Sequence, residues 1–250
     1  MECGVDPGID HMSISRVLKN IRERGGELDT FQSFTGGLVA PESDDNPWGY
    51  KFTWNPRNVV LAGQGVSKFL HNGKFKYIPY HQVFKRIEDI SVEGHGMFEG
   101  YANRDSLHYR DIYKLQSCPT VFRGILFSLS LSLSLSLSLF CVSYSKYIIG
   151  TLRKPGFCNA WDVFVRLGMT DDSYTIENSE TMTNREFINS FLMWRAHDSV
   201  ELKLAYLMGI SVDSDVMKKL KWYPFFFLMP ILLLFINEYA LGWVSSMTAS

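Results

Sequence analysis

The sequence predicts an α+β fold of the layered α/β type, in which a mixed β-sheet carries helices and a helical insertion. Three observations predict it. The 250 residues are 46% apolar and 14% aromatic, enough to bury a core and far from the composition of a disordered chain. Period-two and helix-period segments alternate from residue 10 to residue 167. From residue 183 to residue 222 only the helical period remains.

In chain order, Asp10-His11-Met12-Ser13 opens a helix whose Ile14, Val17, Leu18 and Ile21 share one face. Gly25-Gly26 ends it, because glycine readily takes the left-handed conformation that closes a helix. Residues 29–35 read as a strand, with Phe31 and Ser33 opposed to Thr30, Gln32 and Phe34. Residues 36–46, rich in Gly, Pro, Ser and Asp, read as a long polar loop. Asn55-Pro56 turns the chain into a helical segment over 57–63, with Arg57 at an exposed helix start. Strands are expected over 90–93 and 97–101, and Asp105-Ser106 can cap a short helix through Tyr113. With residues 125–150 set aside, residues 120–124 continue into Thr151-Leu152-Arg153 as one strand. Lys154-Pro155-Gly156 then turns into an amphipathic helix over 157–167. Phe187, Phe191 and Leu192, then Val200, Leu204 and Leu207, mark the helical block.

Two tracts differ in character from the rest. Residues 128–139 are an unbroken Ser-Leu alternation. As protein it would be a strand with one apolar and one hydroxyl face, with no varied side chains to fix its register. A TC dinucleotide repeat read in frame (TCT-CTC) encodes the same pattern. Arg123-Gly124 breaks off a phrase that Gly150-Thr151-Leu152-Arg153 resumes with a second glycine. We read residues 125–150 as translated intron. The second tract, residues 225–236, has 12 apolar residues with Pro230 among them. A membrane-spanning helix needs about 20, and extension to Val244 brings in Asn237 and Glu238. We read residues 223–250 as a read-through tail, with a membrane anchor as the competing reading. Window-averaged hydropathy flags 126–144 and 225–244 as membrane segments; the tract lengths and polar residues argue against a membrane.

Lys plus Arg number 25 against 26 Asp plus Glu, so no basic field is present to hold a nucleic acid. Cys3, Cys118, Cys141 and Cys158 form no CxxC pair and no Cys/His ligand spacing. No structural metal is expected, and a reduced, cytoplasmic setting is. The first eight residues have neither the basic nor the apolar region of a secretory signal.

Gly4-Val5-Asp6-Pro7-Gly8-Ile9-Asp10-His11 is the sharpest short motif. Asp-Pro-Gly makes a rigid turn that exposes backbone groups at a helix mouth, a natural place for a carboxylate or phosphate. On local chemistry alone an ordinary helix-opening turn is the simpler reading. Further motifs follow in order: Gly36-Gly37-Leu38-Val39-Ala40-Pro41-Glu42-Ser43, Asn46-Pro47-Trp48-Gly49-Tyr50-Lys51-Phe52-Thr53-Trp54 and Asn103-Arg104-Asp105-Ser106. The last is Gly124 continued by Thr151-Leu152-Arg153 and Gly156-Phe157.

That ordered set resembles the saccharopine dehydrogenase family (glutamate-forming, also called saccharopine reductase), over residues 2–124 and 151–222. The resemblance implies an incomplete C-terminal substrate-binding and catalytic domain. The Rossmann half that precedes it in the family, and the family's last helices, are missing from this sequence. Gly63-Gln64-Gly65 and Gly94-His95-Gly96 do not form the dinucleotide fingerprint, which needs a third glycine between a strand and a helix. The family interconverts saccharopine, with water, and glutamate plus 2-aminoadipate 6-semialdehyde in lysine metabolism, using NAD or NADP held largely by the missing half.

By position, the resemblance puts Val5, Asp6 and Pro7 at the lip of the nicotinamide site. Asp6 is also placed near the substrate amine, in a catalytic role. Arg104 resembles the family's substrate-carboxylate binder, and Thr151, Leu152 and Arg153 its second substrate-contacting strand. Guanidinium groups suit this, since they bind carboxylates bidentately and stay charged. Without the resemblance, Arg104 or Arg153 would read as a surface ion pair. Trp54 is implied as a wall of the nicotinamide pocket, although a buried Trp is commonly core. Thr35 stands where many relatives carry Cys, and His11 reads as structural. The implied partners are small molecules only, with a homodimer suggested by the family. The alternatives are a related carboxyspermidine-type reductase and an inactive, membrane-attached remnant.

Overall fold

The computed structural model describes residues 8–26, 28, 30–52, 56–61, 64–118, 120–123, 127–128, 150–179 and 181–222. Val5, Asp6, Pro7, Trp54, the Ser-Leu tract past Ser128 and the tail from residue 223 lie outside the described residues. In chain order the first elements are α1 (Ile9–Glu23), β1 (Thr30–Ser33), β2 (Gly37–Leu38) and α2 (Pro56–Leu61). Then come β3 (Ser67–His71), β4 (Lys74–Ile78), α3 (Tyr80–Val83), β5 (Glu88–Val92), β6 (Gly96–Ala102) and α4 (His108–Ile112). They are followed by β7 (Thr120–Arg123), β8 (Phe127–Ser128), β9 (Gly150–Arg153) and α5 (Phe157–Leu167). The series closes with α6 (Asn184–Ser190), α7 (Val200–Met208) and α8 (Asp215–Lys221). The architecture is α+β, and its elements divide between two units.

The first unit comprises Met1–Asp45, Gly49–Lys51 and Gly65–Cys158 and carries every described strand. Its mixed sheet has the order β1-β7-β3-β4, with β1 and β7 parallel and the other pairs antiparallel. A second sheet, β5-β6-β9, is antiparallel throughout, and β2 pairs with β8 in parallel. Phe31, Leu70, Phe98 and Leu152 are core residues of this unit. α1 buries Ile14 and Leu18, as its apolar stripe predicts. It is tied to the end of α4 by His11 Nδ1 against the Tyr113 hydroxyl, and by Arg22, which donates to the carbonyls of Tyr113 (2.6 Å) and Lys114 (3.0 Å).

The second unit comprises Asn46–Trp48, Phe52–Gln64 and Asn159–Ser250. Trp48 is fully enclosed, stacked on Phe164 at 5.8 Å and edge-on to Trp161 at 6.2 Å. Its indole N–H donates to the Lys219 carbonyl at 2.8 Å. α6, α7 and α8 each start at a hydroxyl cap, from Thr183, Ser199 and Ser214, and Thr183 forms a full capping box with Glu186.

Several expectations are corrected. The β3–β4 hairpin has no counterpart in the sequence reading, because Lys74-Phe75-Lys76-Tyr77 is exposed throughout and gives no buried face to detect. Its turn, Asn72-Gly73, has positive φ at both residues (49° and 71°), the geometry this dipeptide favours. The polar loop over 36–46 contains β2 and a 3-10 turn at Pro41–Ser43, which proline starts well. Arg57 is no exposed helix start: it is half-buried, lies 3.4 Å from Asp172, and has a buried Nε. Residues 120–123 and 151–153 belong to two sheets, since β7 finds β1 and β3 while β9 finds β6. One ladder still links them. Ser33 pairs with Arg123 and Thr35 bridges Thr151, so with residues 125–150 uncounted the parallel register runs without a slip. Among the described residues no helix is long and apolar enough to cross a membrane.

Candidate functional site: a polar face on the β6–β9 ladder

Successive residues of a strand point to opposite faces, so the register of β6 against β9 sorts the side chains. Glu99 is opposite Arg153 and Tyr101 opposite Thr151, which places all four on one face. Gly100 and Leu152 occupy the other. There Gly36 is required, because a Cβ at that position would lie 2.5 Å from the Leu152 carbonyl oxygen. The polar face is also buried: Glu99, Tyr101, Thr151 and Arg153 are all at or below 9% exposure. Thr151 Oγ1 donates to Asn103 Oδ1 at 2.9 Å, extending the polar stripe past the end of β6.

Arg153 sits at one end of this face, as the last residue of β9. Its guanidinium carbon lies 4.5 Å from the Tyr50 ring centroid and 5.0 Å from that of Phe157. Its Nε is buried with no hydrogen-bond partner. The acid directly across the ladder does not pair with it. Glu99 instead accepts from the Gly156 N–H at Oε1 (2.6 Å) and from the Cys158 N–H at Oε2 (2.8 Å). Burial works to lower the Arg153 pKa, but Tyr101, Tyr50 and Cys158 outweigh it and the value rises, so the group stays charged. Burial likewise pushes the Tyr50 hydroxyl up, against Arg153, which pulls it down. Burial and the Glu99 carboxylate push the Cys158 thiol well up, with Arg153 partly opposing.

The magnitudes say what such a site can do. A desolvated cation–π contact contributes about 2 kcal/mol, while burying an ion costs several kcal/mol. Stacking and the hydrogen bonds to the neutral Tyr101 and Tyr50 phenols bring no negative charge, so the guanidinium is left under-compensated. An incoming carboxylate would supply the missing charge and a hydrogen-bond acceptor at once.

Arg104 lies just beyond the other end of the ladder and is exposed. Its carbonyl accepts from the Lys68 N–H at 2.8 Å, and Asp105 Oδ1 caps α4 through the N–H groups of Leu107 (2.9 Å) and His108 (3.3 Å). The backbone that carries Arg104 is thus fixed on both sides. Five residues of strand-like backbone separate Glu99 from Arg104, at most about 17 Å.

Residues 4–135 match the family described as the saccharopine dehydrogenase C-terminal domain. The chain belongs to the saccharopine dehydrogenase family. Over 125 residues it is 38% identical to the glutamate-forming, NADP(+) saccharopine dehydrogenase of Schizosaccharomyces pombe, a stretch that is 50% of this chain and 28% of that protein. Over 169 residues it is 32% identical to the mitochondrial alpha-aminoadipic semialdehyde synthase of Mus musculus, covering 67% of this chain and 15% of that one. The solved structure of apo, histidine-tagged saccharopine dehydrogenase (L-Glu forming) from Saccharomyces cerevisiae superposes with a TM-score of 0.66 at 28% identity. That match covers 90% of this chain and 45% of the yeast chain. The chain therefore spans less than half the length of these relatives.

For the saccharopine dehydrogenase family's dinucleotide, the described residues offer no pyrophosphate cradle. Gly94 and His95 lie in the hairpin turn that leads into β6 at Gly96, and Gly65 follows α2 and precedes β3, the reverse of the strand-to-helix order. Of the residues the sequence pointed to, the structure joins Thr151, Leu152 and Arg153 on β9 and brings the Arg104 segment beside them through Asn103. Leu152 faces away from the polar stripe, into the core. Glu99, Tyr101, Asn103, Tyr50 and Cys158 were missed. The alternation Glu99-x-Tyr101-x-Asn103 was a signal for three of them, since polar side chains at period two mark one strand face.

Proposed function

We propose that the chain supplies the substrate-binding part of an NAD(P)-dependent saccharopine dehydrogenase of lysine metabolism. The reaction interconverts saccharopine, with water, and glutamate plus 2-aminoadipate 6-semialdehyde. One observation carries the reading: a buried, charged Arg153 whose facing acid is engaged elsewhere. Saccharopine has three carboxylates spread along an extended skeleton, and the β6–β9 ladder has one arginine at each end. Arg153 holds one carboxylate on the buried face, where Tyr50 and Phe157 keep water away from it. Thr151 and Asn103 line the path between, and exposed Arg104 takes a second carboxylate. When bound, the dinucleotide supplies the hydride chemistry.

Asp6 as the proton-handling group near the substrate amine, and Val5, Pro7 and Trp54 along the nicotinamide, complete the proposal on the strength of the resemblance. So do a homodimer and a cytoplasmic setting, the latter supported by Cys118 and Cys158 being free thiols. The insertion reading of residues 125–150 is supported by the unbroken register from Ser33↔Arg123 to Thr35↔Thr151. The read-through reading of residues 223–250 belongs to the same proposal.

Calorimetric titration of the full chain with saccharopine tests it. Arg153→Gln should weaken binding roughly 10- to 150-fold, the loss of one charged hydrogen-bonding partner of about 1.5–3 kcal/mol. Arg104→Ala should weaken it less, because its carboxylate pair is solvated, and Arg104→Lys should recover part. Lys74→Ala, on exposed β4, serves as the control and should change nothing. Unaltered affinity in both arginine variants would sink the reading.

A further inference from the structure

We propose that Glu99 is a positioning residue for Arg153, acting through the start of α5. The helix α5 starts after a residue that cannot cap it. Position 156, just before α5, is glycine with φ 81°, so it has no side chain to accept from the first free N–H groups. Glu99 fills that role from a different strand, one oxygen for the Gly156 N–H and the other for the Cys158 N–H. Its negative charge also meets the positive end of the helix dipole.

Two consequences follow for Arg153. First, the clamp fixes the Lys154-Pro155-Gly156 turn, and with it Phe157, one of the two rings against which the guanidinium lies. Second, it decides where the Glu99 carboxylate goes. The residue directly across the ladder from a buried arginine is the natural ion-pair partner. Had Glu99 turned to Arg153, the cation would be neutralised inside the protein and the helix start left open. With both oxygens on backbone N–H groups, the guanidinium remains available to a carboxylate from outside.

This inference rests on the reading of Arg153 as a substrate-carboxylate anchor. The test is a double-mutant cycle on the full chain, with saccharopine affinity read by calorimetry. Glu99→Gln keeps the size but sets an NH2 against a backbone N–H. It should weaken binding about tenfold, the cost of one lost hydrogen bond relayed to Arg153. On an Arg153→Gln background the same change should add nothing. A purely structural cap would lower the melting temperature and expose the Cys158 thiol to labelling, yet leave the two binding losses additive; that result overturns the proposal. Normal binding in Glu99→Gln with loss in Arg153→Gln also overturns it, and leaves the carboxylate reading standing. Normal binding in Arg153→Gln removes that reading and the proposal with it. Should Glu99→Gln fail to fold, Glu99→Asp, which keeps both acceptors one methylene shorter, decides by the same comparisons.

Discussion

Cys158 and Tyr50 flank the Arg153 guanidinium as neutral acids. The fold holds both protonated, Cys158 through burial and then Glu99, Tyr50 through burial against the pull of Arg153. The folded state therefore keeps protons that the unfolded chain would release. The stability this carries is full below the unfolded thiol's ordinary value of 9.0 and declines as pH rises through the folded value. Tyr50 adds the same direction of loss from 10.0 upward. Urea midpoints measured from about pH 8 to about pH 11 should fall steadily, and Cys158→Ser should flatten the first part of the fall. A Cys158→Ser profile parallel to wild type would show that the thiol does not titrate against the fold. At this scale the sequence was partly legible. Thr151, Leu152 and Arg153 stood out as a contiguous motif, whereas Tyr50 and Glu99 reach Arg153 only through folding, from segments whose spacing says nothing of the contact.

Among the elements, legibility followed the strength of the periodic signal. α5 was located to the residue, because an apolar face preceded by Pro-Gly leaves little choice of start. β5 and β6 were found within two residues at either end, whereas residues 183–222 were read as one helical block and the caps Thr183, Ser199 and Ser214 that divide it into three helices were not recognised. The β3–β4 hairpin escaped because β4 has two exposed positions on each face of its alternation, and only Ile78 is buried. Its turn was nevertheless written in Asn72-Gly73. Gly73 has φ 71° and open space around it, so Gly73→Ala meets no clash and pays only for the left-handed backbone. We expect it to lower stability by about 1 kcal/mol. A melting temperature equal to wild type would mean that the hairpin turn contributes nothing to the cooperative unit.

For the molecule as a whole, the tract over 125–150 is the largest open matter of chain organisation. If it is an insertion, joining Gly124 to Thr151 puts Gly124 where Gly150 now pairs with Ala102, and the ladder from Ser33 to Thr35 closes without a shift. The deletion should raise both yield and melting temperature, since it removes an aggregation-prone apolar repeat from the chain between β7 and β9. A lower melting temperature would show that β8, paired with β2, is a working part of the fold. The division into two units was not foreseen, because the second draws on segments far apart in the sequence.

That last feature bears on timing. Trp48 leaves the ribosome well before the carbonyl its indole needs, which belongs to Lys219. Closing that contact joins ends separated by 171 positions, and such distant pairings form late and slowly. Until α8 has been synthesised, a large aromatic surface has nothing to cover it. A nascent chain stalled or cut between α5 and α8 would display Trp48, Trp161 and Phe164 to whatever chaperone or protease is near.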